Sequence, residues 1–325
     1  MGRLASRICS RFYPSTAITM LFKKTARLMG NHFEFSLLGE TEAEVAPYFD
    51  YAIGEIQRIE ALLTTFSETS VTAAINRQAG IAPVEVPEEV FQLIARSQHL
   101  SAITQGAFDL SYGSIDKRFW NFDTQMTALP DPELAQKSVA LINYKNILLD
   151  EANQTVMLKN KGMRIGFGGI GKGYAAERAR MLLKKEGQTS GIVNASGDLA
   201  AWGHQENGQP WTIGVADPNT KKALFAGFQI SEKAVATSGN YEKYVIINGK
   251  RYSHTINPKT GYPVSGIKSV TLIADNAEIA DALATPVTVM GIEVGLDFIN
   301  QLPFIGCILI DDYNQIFTSK NIKLR

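Results

Sequence analysis

Residues 164–180 read Arg-Ile-Gly-Phe-Gly-Gly-Ile-Gly-Lys-Gly-Tyr-Ala-Ala-Glu-Arg-Ala-Arg. Four glycines fall within six residues (Gly168, Gly169, Gly171, Gly173), Lys172 is embedded among them, and an alanine-rich helical pattern follows. An apolar run that turns through glycines into a helix points backbone N–H groups and a positive helix end at an anion, phosphate above all. The stretch matches neither GxxxxGK[ST] nor the dinucleotide GxGxxG in its usual place, so a tight turn that simply needs glycine is the competing reading. Asp281 and Thr285, four apart on a helical pattern, share one face. A carboxylate and a hydroxyl on adjacent turns suit a hard cation, which takes oxygen ligands, although the same pair is common on plain helix surfaces. His254, one of four histidines, sits in the turn-rich segment Ser253-His-Thr-Ile-Asn-Pro-Lys-Thr-Gly-Tyr-Pro-Val264.

Taken together these segments resemble the ApbE family, the Mg-dependent FAD:protein FMN transferases. The family's signatures read DLGGIAKGYA, NxGGD, SHIIDPRTGYPV and ADALATALFVMG in that order. Here they correspond to the glycine loop, Gly191-Ile-Val-Asn-Ala-Ser-Gly-Asp198, the His254 segment, and Ile279-Ala-Asp-Ala-Leu-Ala-Thr-Pro-Val-Thr-Val-Met-Gly291. Gly106-Ala-Phe-Asp109 stands where the family has GAFD, and the resemblance runs from about Met29 to the C-terminus. It implies Mg²⁺ ligands at Asp281, Thr285 and the backbone carbonyl of Gly169. It implies FAD contacts at Met29, Phe66, Ala107, Phe108, Asp109, Lys172 and His254, with His254 near the flavin and the candidate for a catalytic base.

The implied reaction is transfer of FMN from FAD to a Thr or Ser hydroxyl of an acceptor flavoprotein, with release of AMP. Two alternatives stay open: Mg-dependent hydrolysis of FAD to FMN and AMP, and non-catalytic flavin binding. The chain departs from the family at four places. Gly166 replaces an FAD-contacting aspartate, so Glu177 or Asp198 is expected to supply the acid, or the grip on the nucleotide is weaker. Phe66 replaces a frequent tyrosine, Asn257 a common aspartate, and Pro286 an alanine-like residue. Proline at 286 removes a helical N–H and frees the carbonyl of Ala282, which predicts a kink beside Thr285.

The elements that must position these residues are legible in part. Phe33, Phe35 and Leu37 alternate with polar or small neighbours and predict a strand over 28–38. Thr41 and Glu44 make a capping box, and apolar residues at helical spacing run to Phe66 through Pro47. A second helix opens at Pro87. Strands are expected within 153–167 and at 191–194, 210–216, 224–230, 244–247, 250–254, 267–274, 305–310 and 315–319, with helices at 174–185 and from 277. Asn248-Gly249 marks a hairpin. Runs of strands with few βαβ units predict an α+β fold of mostly antiparallel sheet with packed helices, one compact unit of one or two lobes.

Composition agrees with a globular domain: 325 residues, 45% hydrophobic, with a formal net charge of zero. That balance gives no polycation for nucleic acid, and no run of eighteen apolar residues provides a transmembrane segment. Cys9 and Cys307 sit in unlike contexts and suggest no disulfide framework. The first 33 residues carry Arg3, Arg7, Arg11, Lys23, Lys24 and Arg27 and no acid before Glu34. Residues 1–27 read as a basic extension, transit-like or preceding a start at Met20, with 28–325 as the single ApbE-like domain. Arg7 spoils a lipoprotein site at Cys9 and no apolar signal core follows. The sequence alone therefore favours the cytoplasm, although the family is often periplasmic or membrane-anchored.

Overall fold

The structure, a computed structural model, describes residues 19–116, 126–216, 224–239 and 244–322. Residues 1–18 of the basic extension, with Cys9, lie outside the described residues. Lys23, Lys24 and Arg27 do not belong to an extension at all. They lie in β1 (Met20–Leu28), which pairs antiparallel with β2 (Asn31–Gly39) from Met20↔Gly39 to Leu28↔Asn31. The folded domain thus begins about eight residues before the boundary at 28. β1 escapes sequence reading because it is an edge strand whose residues are mostly exposed or half-buried, so it lacks the alternation of β2.

β1 and β2 open an eight-stranded antiparallel sheet. It continues through β6 (Gly191–Ala195), β7 (Asp198–Trp202), β10 (Lys233–Gly239), β13 (Ile267–Ala274), β14 (Gly306–Asp311) and β15 (Ile316–Thr318). Strand parity assigns the two faces. Phe33, Phe35, Val193, Ala195, Ala200, Trp202, Ala234, Ala236, Val270 and Leu272 face the main core, beneath α1 (Glu42–Leu63), α5 (Gly171–Lys185) and α6 (Ala277–Met290). Ile192, Leu199, Ala201, Val235 and Ile273 face the other way and are covered by the hairpin β8 (Trp211–Ala216) and β9 (Leu224–Ile230) through Trp211, Ile213, Phe228 and Ile230. The fold is α+β, as the strand runs predict.

Smaller pieces complete it: a three-stranded sheet of β3 (Val84–Glu85), β5 (Thr155–Leu158) and β4 (Ile147–Asp150), and the hairpin β11 (Tyr244–Ile247) and β12 (Lys250–Ser253). That hairpin turns on Asn248 and Gly249, both at positive φ, as the dipeptide predicts. Helices α2 (Val71–Arg77), α3 (Glu88–Ile103), α4 (Pro132–Ser138) and α7 (Ile292–Asn300) flank the core. α1 starts at the expected cap, where the Thr41 hydroxyl accepts from the Glu44 N–H at 3.3 Å, and it runs unbroken past the exposed Pro47. α6 also runs unbroken through Pro286, and Ala282 is fully buried away from the cavities described below. α2, β4, β7 and β10 have no counterpart in the sequence reading. A satellite core of Ile115, Ala135, Val139 and Ile256, with Tyr112 and Tyr262, anchors the loop that follows β12.

Candidate active site

The glycine loop serves as a joint between two helices. The first turn of α5 lies against α6 so closely that a Cβ on Gly173 would fall 2.2 Å from the Ala277 carbonyl oxygen and 2.6 Å from the Asp281 Cβ. Only glycine fits there. Each helix caps the other. Asp281 of α6 accepts from the Gly173 N–H at 2.9 Å and from the Lys172 N–H, and Glu177 of α5 accepts from the Ala277 N–H at 2.9 Å. Two of the amides expected to face a phosphate are therefore taken by a carboxylate of the protein. Asp281 is 6% exposed and does not sit on a helix surface. Burial pushes its carboxyl above the ordinary range, opposed by the Lys172 charge and the two N–H donors.

Asp198 belongs to the same cluster. A two-residue turn at Ser196 and Gly197, both at positive φ, places it at the start of β7. Its parity with Ala200 and Trp202 aims it at the helix layer, where its carboxylate pairs with the Lys172 ammonium. Burial first, then the negative charge of Asp281, push Asp198 up to about 7, while Lys172 pulls in the opposite direction. Glu177 pairs with Arg180 at 2.5 Å and caps α6, so it does not supply the acid missing at Gly166.

Two cavities meet at this joint. The first, about 670 Å³, is lined by Phe66, Ala107, Phe108, Asp109, Gly169, His254 and Thr285 of the expected residues. The second, about 370 Å³, holds Met29 and Lys172. Thr65, Phe66, Gly166 and Gly168 border both, so the two form one bent cleft. Every expected FAD-contacting residue lines this cleft, as do Gly169 and Thr285; the expected cation ligand Asp281 is buried one helical turn from Thr285 and lines neither cavity. Phe66 is 99% exposed at the junction, an aromatic face open to a ligand ring. Met29 takes φ 50° in the two-residue turn between β1 and β2, an uncommon conformation for a bulky side chain that tends to mark functional positions.

Asp109 lines the first cavity, but its carboxylate is largely committed to the fold. It accepts from the Ser111 N–H (2.8 Å), the Ser111 hydroxyl (2.6 Å) and the Tyr144 N–H (2.7 Å), capping the 3-10 turn Leu110–Ser114. Asn257, the position where an acid beside His254 is absent, makes a turn by accepting from the Lys259 N–H at 2.9 Å. His254 is exposed at the cavity wall. Its loop is clamped by Ser253 N–H to Val264 O and Val264 N–H to Thr255 O, both at 2.9 Å. Arg164, Tyr112, Thr65 and Ser238 also line the first cavity and are not singled out by the sequence reading. The alternation Met163, Ile165, Phe167 inward and Arg164, Gly166, Gly168 outward is the signal that finds part of this set.

The sequence profile of the ApbE family matches residues 29–309. The chain belongs to the ApbE family. Among its relatives, a FAD:protein FMN transferase of Klebsiella pneumoniae is 31% identical over 94% of both chains. One of Treponema pallidum is 29% identical, covering 86% of this chain and 81% of that protein. The ApbE protein of Thermotoga maritima superposes with a TM-score of 0.82 at 31% identity, over 93% of this chain and 97% of that one. The apo flavinyl transferase ApbE of Pseudomonas stutzeri gives 0.80 at 25% identity, over 93% and 95%. As an ApbE protein the chain is an enzyme, a transferase.

Gly166, the main departure from the ApbE pattern, has room for a side chain. Its φ lies outside the left-handed region, and a Cβ would make only an ordinary 3.8 Å contact with the Thr65 methyl. Backbone strain therefore does not oppose Gly166→Asp. A hydrogen bond to an ionised carboxylate contributes roughly 1.5–3 kcal/mol. In saturating Mg²⁺, which offsets the added charge, we expect this variant to bind FAD about tenfold more tightly, measured by quenching of flavin fluorescence. Weaker binding in a well-folded variant would show that the cleft has been rebuilt around glycine.

Proposed function

We propose that this enzyme transfers FMN from FAD to a Thr or Ser hydroxyl of an acceptor flavoprotein and releases AMP. The observation that carries the proposal is the bent cleft: two cavities joined at Phe66, Gly166 and Gly168, with Lys172 on one side and Gly169 and Thr285 on the other. A dinucleotide fits such a shape with its phosphates at the joint and its two ring systems in separate cavities. Met29 and Phe66 supply apolar contacts to a ring, and His254 faces the larger cavity.

The donors available to a cation are the Asp281 carboxylate, the Thr285 hydroxyl and the Gly169 carbonyl. This all-oxygen set suits Mg²⁺, which keeps several waters and takes one or two carboxylates together with substrate phosphates. Bound Mg²⁺ would supply neutralisation of charge on the phosphate oxygens. The chain's own residues do the rest. Lys172 holds the pyrophosphate, and Phe66 and Met29 orient a ring. His254 receives the proton as the acceptor oxygen attacks the FMN-side phosphorus. The bond from that phosphorus to the bridging oxygen breaks, and AMP leaves with the electron pair.

Pure protein incubated with FAD and Mg²⁺, with and without an acceptor domain, tests the reading. AMP formed only with acceptor, together with covalent flavin on it, supports transfer. AMP without acceptor makes the enzyme a hydrolase, and no AMP in either case reduces it to a flavin-binding protein.

Lys172→Ala should weaken FAD binding, and the loss should shrink as salt rises. The lysine side chain is 27% exposed, so its attraction for a pyrophosphate is screened over about 8 Å at physiological ionic strength. Calorimetric titration at low and high salt measures this. Unchanged affinity at low salt would mean that the ammonium serves only Asp198.

A further inference from the structure

Lys172 is the cation of the joint, and it is already paired. Its ammonium contacts Asp198, whose side chain is 4% exposed, and Asp281 is buried close enough for the two carboxylates to repel one another. With all three ionised the cluster carries one net negative charge. A pyrophosphate at the joint brings more negative charge to it. The lysine cannot offset both carboxylates and a phosphate.

From this charge count we infer that Asp198 is a positioning residue that makes nucleotide binding depend on the divalent cation. The inference rests on the reading of the cleft as the FAD site. Without metal, Asp198 holds the ammonium and leaves the joint electronegative, so FAD is disfavoured. A divalent cation at Asp281 reverses the net charge, and the ammonium can then be shared with the phosphates. The arrangement gives an ordered site: cation first or together with the nucleotide, and little idle capture of FAD alone. The sequence prepares it with the tight Ser196-Gly197 turn, which fixes Asp198 on the helix face of β7 opposite the first turn of α5. Nothing in this role requires Asp198 to touch metal or substrate.

The test compares FAD affinity, by flavin fluorescence at pH 8.5, in EDTA and in saturating Mg²⁺. Asp198→Asn keeps the shape and removes one charge. At an effective dielectric of about 20, a unit charge roughly 12 Å from a phosphate amounts to about tenfold in affinity, and a nearer one to more. Asp198→Asn should therefore bind FAD about tenfold more tightly than wild type in EDTA, and within about threefold of it in Mg²⁺. In Lys172→Met/Asp198→Asn the net charge returns to minus one, and the gain in EDTA should vanish. Equal or weaker binding by folded Asp198→Asn in EDTA overturns the inference.

Should Asp198→Asn fail to fold, Lys172→Met alone decides. It removes the ammonium that the cation frees for the phosphates and must lose more affinity in Mg²⁺ than in EDTA, and equal losses overturn the inference. A wild-type protein that binds no FAD even with Mg²⁺ would instead sink the reading of the cleft. A wild type that binds FAD with a metal dependence unchanged in the variants sinks only the role of Asp198.

Discussion

Asp281→Asn should leave a folded protein that no longer turns over. The substitution keeps a carbonyl oxygen to accept from the Gly173 and Lys172 N–H groups but removes the anionic oxygen a hard cation requires. We expect kcat/KM to fall at least a hundredfold, a factor equivalent to about 2.7 kcal/mol of transition-state stabilisation. Stability should move the other way. A buried carboxylate beside a second one is held at a cost, so Asp281→Asn in EDTA should melt at or above the wild-type temperature and lose the rise that Mg²⁺ gives wild type. Asp281→Ala adds a second defect by stripping the cap from α5, which costs about 1–3 kcal/mol for donors left unpaired. From sequence alone this residue looks like an exposed helix position whose loss costs little stability, and its burial corrects that expectation. Thr285→Val should be milder, since water can replace a neutral ligand. Normal Mg-dependent turnover by Asp281→Asn would remove the cation from this face of α6.

The contrast between Asp281 and Thr285 shows where sequence reading succeeds and stops. Their spacing puts them on one face of a helix, and most of the expected residues that line the cleft lie in motifs whose order the chain preserves. What spacing cannot reveal is which partner faces them. Asp198 sits at the end of a polar stretch that reads as a turn, and only the two-residue hairpin shows it to be the first residue of a buried strand. Glu177 looked available as a replacement acid, yet it is consumed by Arg180 and the start of α6. β1 and the Met29-Gly30 turn were invisible for a different reason. An edge strand with exposed lysines carries little periodicity, and a methionine at positive φ is not a turn signal. The alternation of β2 and the helical spacing of α1 are strong signals because one face of each is dry.

Gly173→Ala should be among the most damaging single changes in this chain, although alanine is the better helix former. In an exposed helix interior the exchange stabilises by roughly 0.5–1 kcal/mol. Gly54 in α1 provides that baseline, with nothing within 4 Å of where its Cβ would be. At Gly173 the new methyl meets a backbone oxygen at 2.2 Å and the stub of a side chain at 2.6 Å, and neither can swing aside. The two helices must part, at a cost of about 1–3 kcal/mol or more for forced overpacking. Parting them also breaks the Gly173 N–H to Asp281 bond and moves Asp281 away from the loop that carries Gly169 and Lys172. Activity should therefore fall together with stability, and more Mg²⁺ should be needed for half-maximal rate. Thermal melts of Gly54→Ala and Gly173→Ala, with Mg²⁺ titrations of rate, measure the opposite signs. A Gly173→Ala enzyme as stable and as active as Gly54→Ala would mean that α5 and α6 do not meet at the distance on which the whole site depends.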